Sequence, residues 1–332
     1  MNTTTSVRPV RLKEVEPLAR LIQSRLPDMV HAGPTPEILQ RRLSSLIEDG
    51  CLIAAEKDHS YAGVLALDLH DRQVIACYLK PELASSATPR KLFEEIEQRA
   101  LAFGLRTLQC CILSPALPLM WKLGYAPVEA DTSSDRPILV RKDLTGQADE
   151  WTRQIFTLHD ELGISADYGP RHRLEIIQDC KDRISIGFDV YDREQWMDPT
   201  AAVAWKKMHE AAASKGIQLQ LVSAYRGLNY QADLIRNKLK AGQRIENILS
   251  VSAAPGFSEH HSGRALDLKI PGEPPLEESF AETGAYEWLQ ANARLFGFRE
   301  TFGRKNRHGL TWEPWHWCFR SPSSSNPSTV TS

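Results

Sequence analysis

The sequence predicts a two-domain α+β protein. The chain has 332 residues, and domains usually contain about 100–200. Strand-like and helix-like segments alternate on both sides of a small polar segment, TGQADE, at residues 145–150, which is typical of a linker. We therefore expect a first domain at residues 1–144, a linker at 145–150 and a second domain at 151–320. The Ser/Pro/Thr-rich end, residues 321–332, predicts a disordered tail.

The first domain alternates between the periodicities of strands and helices. In the helix predicted over Glu14–Arg25, Val15, Leu18, Leu21 and Ile22 fall on one apolar stripe. The other predicted elements are a strand at Val7–Leu12, a helix that begins at Pro36 after the capping residue Thr35, strands at Cys51–Glu56, Tyr61–Leu69 and Val74–Leu79, a helix at Pro89–Phe103, and a strand at Thr107–Leu113.

The second domain has longer loops between its elements. Gly216, Gly242 and Gly297 mark helix ends, because glycine readily adopts the left-handed conformation that closes a helix. The predicted elements are helices at Thr200–Lys215, Tyr230–Lys240 and Thr283–Phe296, and strands at Ile217–Ser223, Arg264–Lys269 and Thr311–Phe319.

Charge and composition exclude several classes of protein. Forty Lys and Arg against forty-two Asp and Glu give a formal charge of −2, whereas nucleic-acid binders carry clustered positive charge. No stretch approaches the ~18 consecutive apolar residues of a membrane span. The amino-terminal MNTTTSVRP shows no secretory signal. Six scattered cysteines without a CxxC motif are typical of a reduced protein, so we expect a cytoplasmic protein that contacts neither nucleic acid nor membranes.

Two segments of the second domain contain residues that can bind a metal. His260 and Asp267 lie in SEHHSGRALD, and His316 lies in WEPWHW. Zinc accepts imidazole nitrogen and carboxylate oxygen, and catalytic sites use three protein ligands and leave one position open. Gly263 permits a turn between His260 and Asp267, so that both side chains can converge on one ion.

A further carboxylate, Glu313, lies three residues before His316. On an extended strand, two residues three apart point to opposite faces. Both can reach one metal only if the strand bends between them, and Pro314 is consistent with such a bend. The sequence therefore predicts a kink at this position.

Three motifs in this order resemble those of the VanY-type D-alanyl-D-alanine carboxypeptidases, a zinc peptidase family. Ser223–Gln231 (SAYRGLNYQ) resembles the family segment SGYRxxxxQ, Ser258–Asp267 resembles SxHxxGxAxD, and Glu313–Trp317 (EPWHW) resembles ExxH. The resemblance covers residues 174–320. Singly each motif is common by chance, but their combination is specific.

The resemblance implies a D-Ala-D-Ala metallopeptidase-like α+β fold with a small antiparallel sheet, a Zn2+ cofactor and a peptide substrate ending in D-Ala. It also implies roles for eight residues. These are zinc ligation by His260, Asp267 and His316, general-base catalysis by Glu313, polarisation of the scissile carbonyl by Arg226, and substrate binding by Gln231, Ser258 and Tyr225.

The neighbours of these motifs leave some interpretations open. His261 is either exposed or adjacent to the metal ligands. Cys318 is expected to be a buried structural cysteine. The basic loop Arg304–His308 is either a solvated loop or a patch for an acidic peptide substrate.

Residues 7–143 resemble the GCN5-related N-acetyltransferases, an α/β sandwich fold, in the order of their elements and in MWKLGYAPV (Met120–Val128). The family binds acetyl-CoA through a glycine-rich loop after a strand that ends in Val-x-Pro. Here Leu79–Pro81 matches the strand end, but Ala84–Pro89 contains no glycine. Glycines let backbone N–H groups approach a pyrophosphate, so we expect poor acetyl-CoA binding and a structural, substrate-selecting or dimerising role.

The expected function is removal of C-terminal D-Ala from peptidoglycan-derived peptides. Recycled tetrapeptides, cut by LD-carboxypeptidase activity, are the substrate that best suits a cytoplasmic enzyme. The alternatives are a DD-carboxypeptidase and a D-Ala-D-Ala dipeptidase. Two others come from different classes, namely an acetyltransferase, which acetyl-CoA binding would favour, and a non-catalytic muropeptide sensor, which Glu313 argues against because a binder needs no base.

Overall fold

The fold is described from a computed structural model. It describes residues 5–25, 35–80, 83, 86–129 and 136–320. These divide along the chain into two compact units, an amino-terminal unit that ends at Asp149 and a carboxy-terminal unit that begins at Glu150. The tail predicted at 321–332 lies outside the described residues. Across the described ranges, no helix is both long enough and apolar enough to cross a membrane.

The amino-terminal unit combines helices with one large sheet. In chain order its elements are β1 (Ser6–Pro9), α1 (Val15–Arg25), α2 (Pro36–Glu48), β2 (Leu52–Lys57), β3 (Ser60–Asp68), β4 (Gln73–Leu79), α3 (Thr88–Ala102), β5 (Thr107–Ile112), α4 (Leu117–Lys122), β6 (Ala126–Pro127) and β7 (Ile138–Asp143).

Seven strands of this unit form one sheet in the order β1-β2-β3-β4-β5-β7-β6. All neighbours are antiparallel except β4 and β5, which pair in parallel through Gln73–Gln109 and Val74–Cys110. Helices α1 and α2 bury Leu18 and Leu43 in one core with β2 and β3. The predicted cap is present, since the Thr35 hydroxyl accepts from the Ile38 amide at 3.5 Å, and such caps contribute about 1 kcal/mol.

The loop before α3 is where the amino-terminal unit lacks the glycines of an acetyl-CoA loop. Ala84 and Ser85 lie outside the described residues. Ala87 precedes the helix without a side-chain cap, and Pro89 occupies its first turn. A proline there removes one of the N–H groups that could contact a phosphate, so weak acetyl-CoA binding stays a prediction.

The carboxy-terminal unit has a smaller sheet and more helix. Its elements are α5 (Glu150–Leu162), α6 (Tyr168–His172), β8 (Ile184–Phe188), β9 (Glu194–Met197), α7 (Pro199–Ala213), β10 (Gln220–Ser223), α8 (Leu228–Lys240), α9 (Ile245–Ser250), β11 (Ala265–Lys269), α10 (Gly284–Asn292), β12 (Phe298–Glu300) and β13 (His316–Phe319).

Four of these strands form an antiparallel sheet in the order β10-β11-β13-β12, and β8 and β9 form a separate hairpin. Helices α7 and α10 pack against the sheet around Trp205, Leu266, Leu289 and Trp317. Helices α5, α8 and α9 build a second core with the loop before β11. The mixed α+β class predicted for the chain is confirmed.

Several element boundaries differ from the predicted ones. The strand predicted at Thr311–Phe319 begins only at His316, because a turn at Pro314 and Trp315 precedes it. The helix predicted at Thr283–Phe296 ends at Asn292 and continues as a 3-10 turn. Helix α5 and the β8–β9 hairpin were not among the predicted elements. The predicted linker contains a 3-10 turn at Thr145–Gln147 before α5 begins.

Candidate metal centre

Strand pairing places two of the candidate ligands side by side. Asp267 on β11 lies directly opposite His316 on β13 in the antiparallel register, and side chains of such a pair share one face of the sheet. His260 lies in a 3-10 turn, Glu259–Ser262, that ends at Gly263 with φ 66°. This turn reverses the chain just before β11, which brings His260 back beside Asp267.

The three side chains converge in the interior of the carboxy-terminal unit. Each offers one ligand atom, and these atoms lie within 4.8 Å of one another. Asp267 Oδ1 is 3.0 Å from His316 Nδ1, and Asp267 Oδ2 is 3.2 Å from His260 Nε2. All three residues are at most 3% exposed, so the cluster is shielded from bulk water.

The hydrogen bonds of His260 fit a metal ligand. Its Nδ1 is 2.5 Å from the carbonyl oxygen of Ala224, which holds the ring proton on Nδ1. Its buried Nε2 makes no hydrogen bond of good geometry and faces Asp267 Oδ2 at 3.2 Å. A lone pair that faces a buried carboxylate is unfavourable unless a cation lies between them. Two imidazoles and one carboxylate form a donor set that suits zinc.

Glu313 lies at the edge of this cluster. The turn at Pro314 and Trp315 lets the backbone N–H of His316 donate to the Glu313 carbonyl at 3.0 Å, and it places Glu313 Oε2 3.9 Å from His316 Nδ1. Burial raises the pKa of Glu313 to about 7, and the nearby Asp267 charge acts in the same direction. A carboxylate with a pKa near neutrality is well suited to accept and return a proton.

Arg226 approaches the cluster from the segment between β10 and α8. Its Nη2 is 3.6 Å from Asp267 Oδ2, and its buried Nε has no hydrogen-bond partner. The backbone holds it in place, since the Arg226 amide donates to the His260 carbonyl at 3.2 Å. The guanidinium therefore retains donors for a group bound beside Asp267.

Two of the three predicted substrate-binding residues line a pocket of about 50 Å³ beside the cluster, together with Arg226 and Glu313. Gln231 donates from Nε2 to the Ala253 carbonyl at 2.7 Å, and its buried Oε1 has no hydrogen-bond partner. Ser258 is buried at the pocket wall. Tyr225 does not line this pocket, and the Arg183 guanidinium lies over its ring at 4.1 Å.

Glu259 also contacts the cluster, although it was not predicted as a site residue. It is 7% exposed, and its Oε2 lies 2.9 Å from His316 Nε2. Burial opposes its ionisation, but the hydrogen bond with His316 and the charge of Arg320 lower the pKa of Glu259 to about 2. Its place beside His260 was the available signal in the sequence.

The structure shows the surroundings of His261, Cys318 and the basic loop. His261 is fully buried, with Nδ1 2.6 Å from the Arg226 carbonyl and Nε2 accepting from the Gly256 amide at 3.0 Å. His261 therefore connects the segment that contains Arg226 to the segment that contains Gly256. Cys318 is buried, as expected. In the basic loop, Arg304 lies over the Trp312 ring at 3.8 Å, which gives that charge a structural partner.

The carboxy-terminal part of the chain is similar to a known family. The family model for D-alanyl-D-alanine carboxypeptidase, VanY, matches residues 194–322. The putative carboxypeptidase YodJ of Bacillus subtilis (strain 168) is 32% identical over 139 residues, which are 40% of this chain and 50% of that protein. The chain thus spans half the length of this relative.

Solved structures resemble each part of the chain separately. The LdcB LD-carboxypeptidase is 29% identical, with 42% of this chain and 69% of that chain covered and a TM-score of 0.38. The PaiA N-acetyltransferase of Thermoplasma acidophilum, solved with coenzyme A, is 15% identical, with 42% and 99% covered and a TM-score of 0.33.

A buried pair of imidazoles and an aspartate can hold a divalent cation, and a second carboxylate of raised pKa beside them can exchange a proton. Residues 194–322 match the VanY D-alanyl-D-alanine carboxypeptidase family model, and this part of the chain is similar to a putative carboxypeptidase.

Proposed function

We propose that the protein is a zinc-dependent carboxypeptidase that removes D-Ala from the carboxyl end of peptidoglycan-derived peptides. The convergence of His260, Asp267 and His316 within 4.8 Å carries this proposal. His260 Nε2, which faces Asp267 Oδ2 at 3.2 Å, and the nearby Glu313 support it. So does the family match over residues 194–322.

The geometry supports a role for each of these residues. When bound by His260, Asp267 and His316, zinc would supply Lewis acidity and a water with a pKa near 7. Glu313 takes a proton from the attacking water and returns it to the leaving amine as the C–N bond breaks. Arg226 is always protonated, so its guanidinium stabilises the negative charge that develops on the carbonyl oxygen.

We propose recycled tetrapeptides as the substrate and the cytoplasm as the location, which makes the reaction an LD-carboxypeptidase reaction. The scattered cysteines are typical of a reduced compartment. A cytoplasmic enzyme that shortened pentapeptide precursors would work against wall synthesis. The second candidate is DD-carboxypeptidase activity, which the description of the matching family model favours.

Mass spectrometry of three peptides tests the proposal. The tetrapeptide, the pentapeptide and D-Ala-D-Ala are incubated with zinc-loaded protein, with Glu313→Ala and with the control Glu246→Ala, which changes an exposed glutamate of the same unit. We expect loss of one alanine from the tetrapeptide. Glu313→Ala should be about 10²–10⁴-fold slower, and Glu246→Ala should match the unchanged protein.

The other outcomes are equally informative. Loss of alanine from the pentapeptide or the dipeptide alone would support the DD reaction and overturn the tetrapeptide proposal. No loss from any peptide, with zinc shown to be bound, would overturn the peptidase proposal. Equal rates for Glu313→Ala and the unchanged protein would remove Glu313 from the mechanism.

A further inference from the structure

We propose that Glu259, itself held by Arg320, is a positioning residue for the metal site. It selects which ring nitrogen of His316 faces the metal. This inference rests on the metal site of the proposed function and deepens it. It assigns to Glu259 no contact with the substrate.

The contacts of Glu259 are arranged along one face of β13. His316, Cys318 and Arg320 alternate along the chain, so their side chains share one face of this extended segment. Glu259 lies against that face. Its Oε2 is 2.9 Å from His316 Nε2, and its Oε1 pairs with the Arg320 guanidinium. The Thr301 hydroxyl also hydrogen-bonds to it.

Glu259 and Asp267 contact opposite ends of the His316 ring. Asp267 Oδ1 is 3.0 Å from Nδ1, whereas Glu259 contacts Nε2. Among the described residues, the cluster able to hold an ion contains His260, Asp267 and His316 but not Glu259. Glu259 therefore contacts His316 at Nε2, the ring nitrogen opposite the one that Asp267 contacts.

A neutral imidazole carries one N–H, and only the other nitrogen can donate a lone pair to a metal. An acceptor at Nε2 keeps the proton on that nitrogen and leaves Nδ1 for the ion. His260 is arranged in the opposite sense, because the Ala224 carbonyl lies at its Nδ1 and leaves Nε2 toward the cluster. The two histidines thus require different tautomers, which the acceptor behind each ring selects.

The acceptor behind His316 carries a charge, and that charge has its own counterion. A carboxylate makes the ring a stronger donor and binds its N–H more tightly than a carbonyl does. An unpaired buried carboxylate would be costly. The Arg320 guanidinium occupies Oε1, so it neutralises Glu259 and leaves Oε2 for His316.

The test is zinc affinity, measured without peptide by competition with a chromophoric chelator. Partners that orient metal ligands contribute about 10–100-fold to metal affinity. We expect the zinc affinity of Glu259→Gln to fall about tenfold, because an amide oxygen still accepts from Nε2. For Glu259→Ala we expect a fall approaching a hundredfold. Glu161→Gln is the matched control, because it removes an arginine-paired carboxylate of the same unit far from β13 along the chain.

A second readout separates positioning from a merely structural role. Cobalt replaces zinc, and its visible absorption reports the geometry of the ligands. We expect the spectrum of Glu259→Ala to change and that of Glu161→Gln to match the unchanged protein. If Glu259→Ala does not fold, Glu259→Gln and Arg320→Gln carry the test, each with weaker zinc affinity expected.

The outcomes distinguish this inference from the proposed function. Zinc affinity of Glu259→Ala within twofold of the unchanged protein would overturn the inference and leave the peptidase proposal intact. Zinc binding that depends on Glu259, without hydrolysis of any peptide, would support the inference and overturn the peptidase proposal. Failure of the unchanged protein to bind zinc would overturn both.

Discussion

Burial and neighbours give three carboxylates of the site different chemical properties. Burial opposes the ionisation of Asp267, but the contacts with His260 and His316 and the charge of Arg226 hold its pKa well below the usual range. Glu313 is also buried, but it lies farther from a positive partner, and its pKa rises to about 7. The first carboxylate therefore stays charged for a cation, whereas the second can exchange a proton.

The raised pKa of Glu313 predicts how activity depends on pH. The base must be ionised, so activity falls as pH drops through its pKa. The pKa of Glu313 is about 7 without a metal, with burial as the main cause, and a bound cation would shift that pKa back toward the ordinary 4.5. We expect the acid limb of kcat/KM between about pH 4.5 and 7, with a tenfold fall per pH unit.

The measurement needs zinc content at each pH, because protonation of the histidines also releases the metal. A rate that falls while zinc stays bound reports Glu313. An acid limb at or below pH 4.5, with zinc fully bound, would contradict the raised pKa.

At the scale of elements, a strand pairing and a 3-10 turn bring the site residues together. The register of β11 and β13 sets Asp267 beside His316, and the turn that ends at Gly263 brings His260 to them. Gly263 has little space around it, since a Cβ there would lie 2.9 Å from the backbone nitrogen of Asp198. Both its φ and its packing therefore require glycine.

Gly263→Ala should weaken both stability and zinc binding. The left-handed conformation costs an L-residue about 1–2 kcal/mol, and the close approach to Asp198 adds to this. Displacement of the turn moves His260 away from Asp267. We expect a loss of more than about 2 kcal/mol in the free energy of unfolding, measured by denaturant titration, and at least tenfold weaker zinc binding.

Gly163→Ala is the matched control. Gly163 has nearly the same backbone conformation, with φ 69°, but nothing lies within 4 Å of a Cβ built there. It should show the conformational cost alone and bind zinc normally. Equal losses of stability and zinc affinity in the two variants would mean that the packing around Gly263 has no role in assembling the site.

At the scale of the whole molecule, the carboxypeptidase family match covers residues 194–322, which lie within the carboxy-terminal unit. Metal binding should therefore be visible as stabilisation of that unit. The tryptophans are distributed unevenly, since seven of the eight follow residue 150 and Trp121 precedes it. Tryptophan fluorescence consequently follows the carboxy-terminal unit.

Zinc should raise the thermal transition seen by tryptophan fluorescence. A ligand at a hundred times its Kd stabilises a folded protein by about 2.7 kcal/mol. For a unit of this size, that corresponds to an increase in Tm of about 5–10 °C. Asp267→Asn should show a much smaller shift. Equal shifts in Asp267→Asn and the unchanged protein would contradict binding at this cluster.

Many of the elements could be predicted from local pattern. Apolar periodicity and capping residues located helices such as α2 and α7, because these signals are local in the chain. The pattern failed where one signal had two meanings. Residues 311–319 are rich in aromatics and suggested one strand, but Pro314 interrupts it and only His316–Phe319 pairs.

The residue types of the site could also be chosen from the sequence alone. Imidazole and carboxylate are zinc ligands, and the resemblance of three ordered motifs to those of a zinc peptidase family indicated a metal site at His260, Asp267 and His316. Gly263 and Pro314 indicated a turn and a bend for simple steric reasons. These inferences depend on residue chemistry and short spacing, which a sequence contains.

Only the tertiary structure decided how those residues are used. The register of β11 with β13 pairs Asp267 with His316, which are 49 residues apart in the chain. The local sequence of either strand does not determine this pairing. Burial in the folded chain raises the pKa of Glu313. Packing also encloses His261 and brings Glu259 against His316. Tyr225 packs against Arg183 and does not line the pocket. Burial and contacts between distant residues arise only when the whole chain folds. The local sequence therefore determines which chemical groups are available, and tertiary packing determines the role of each group.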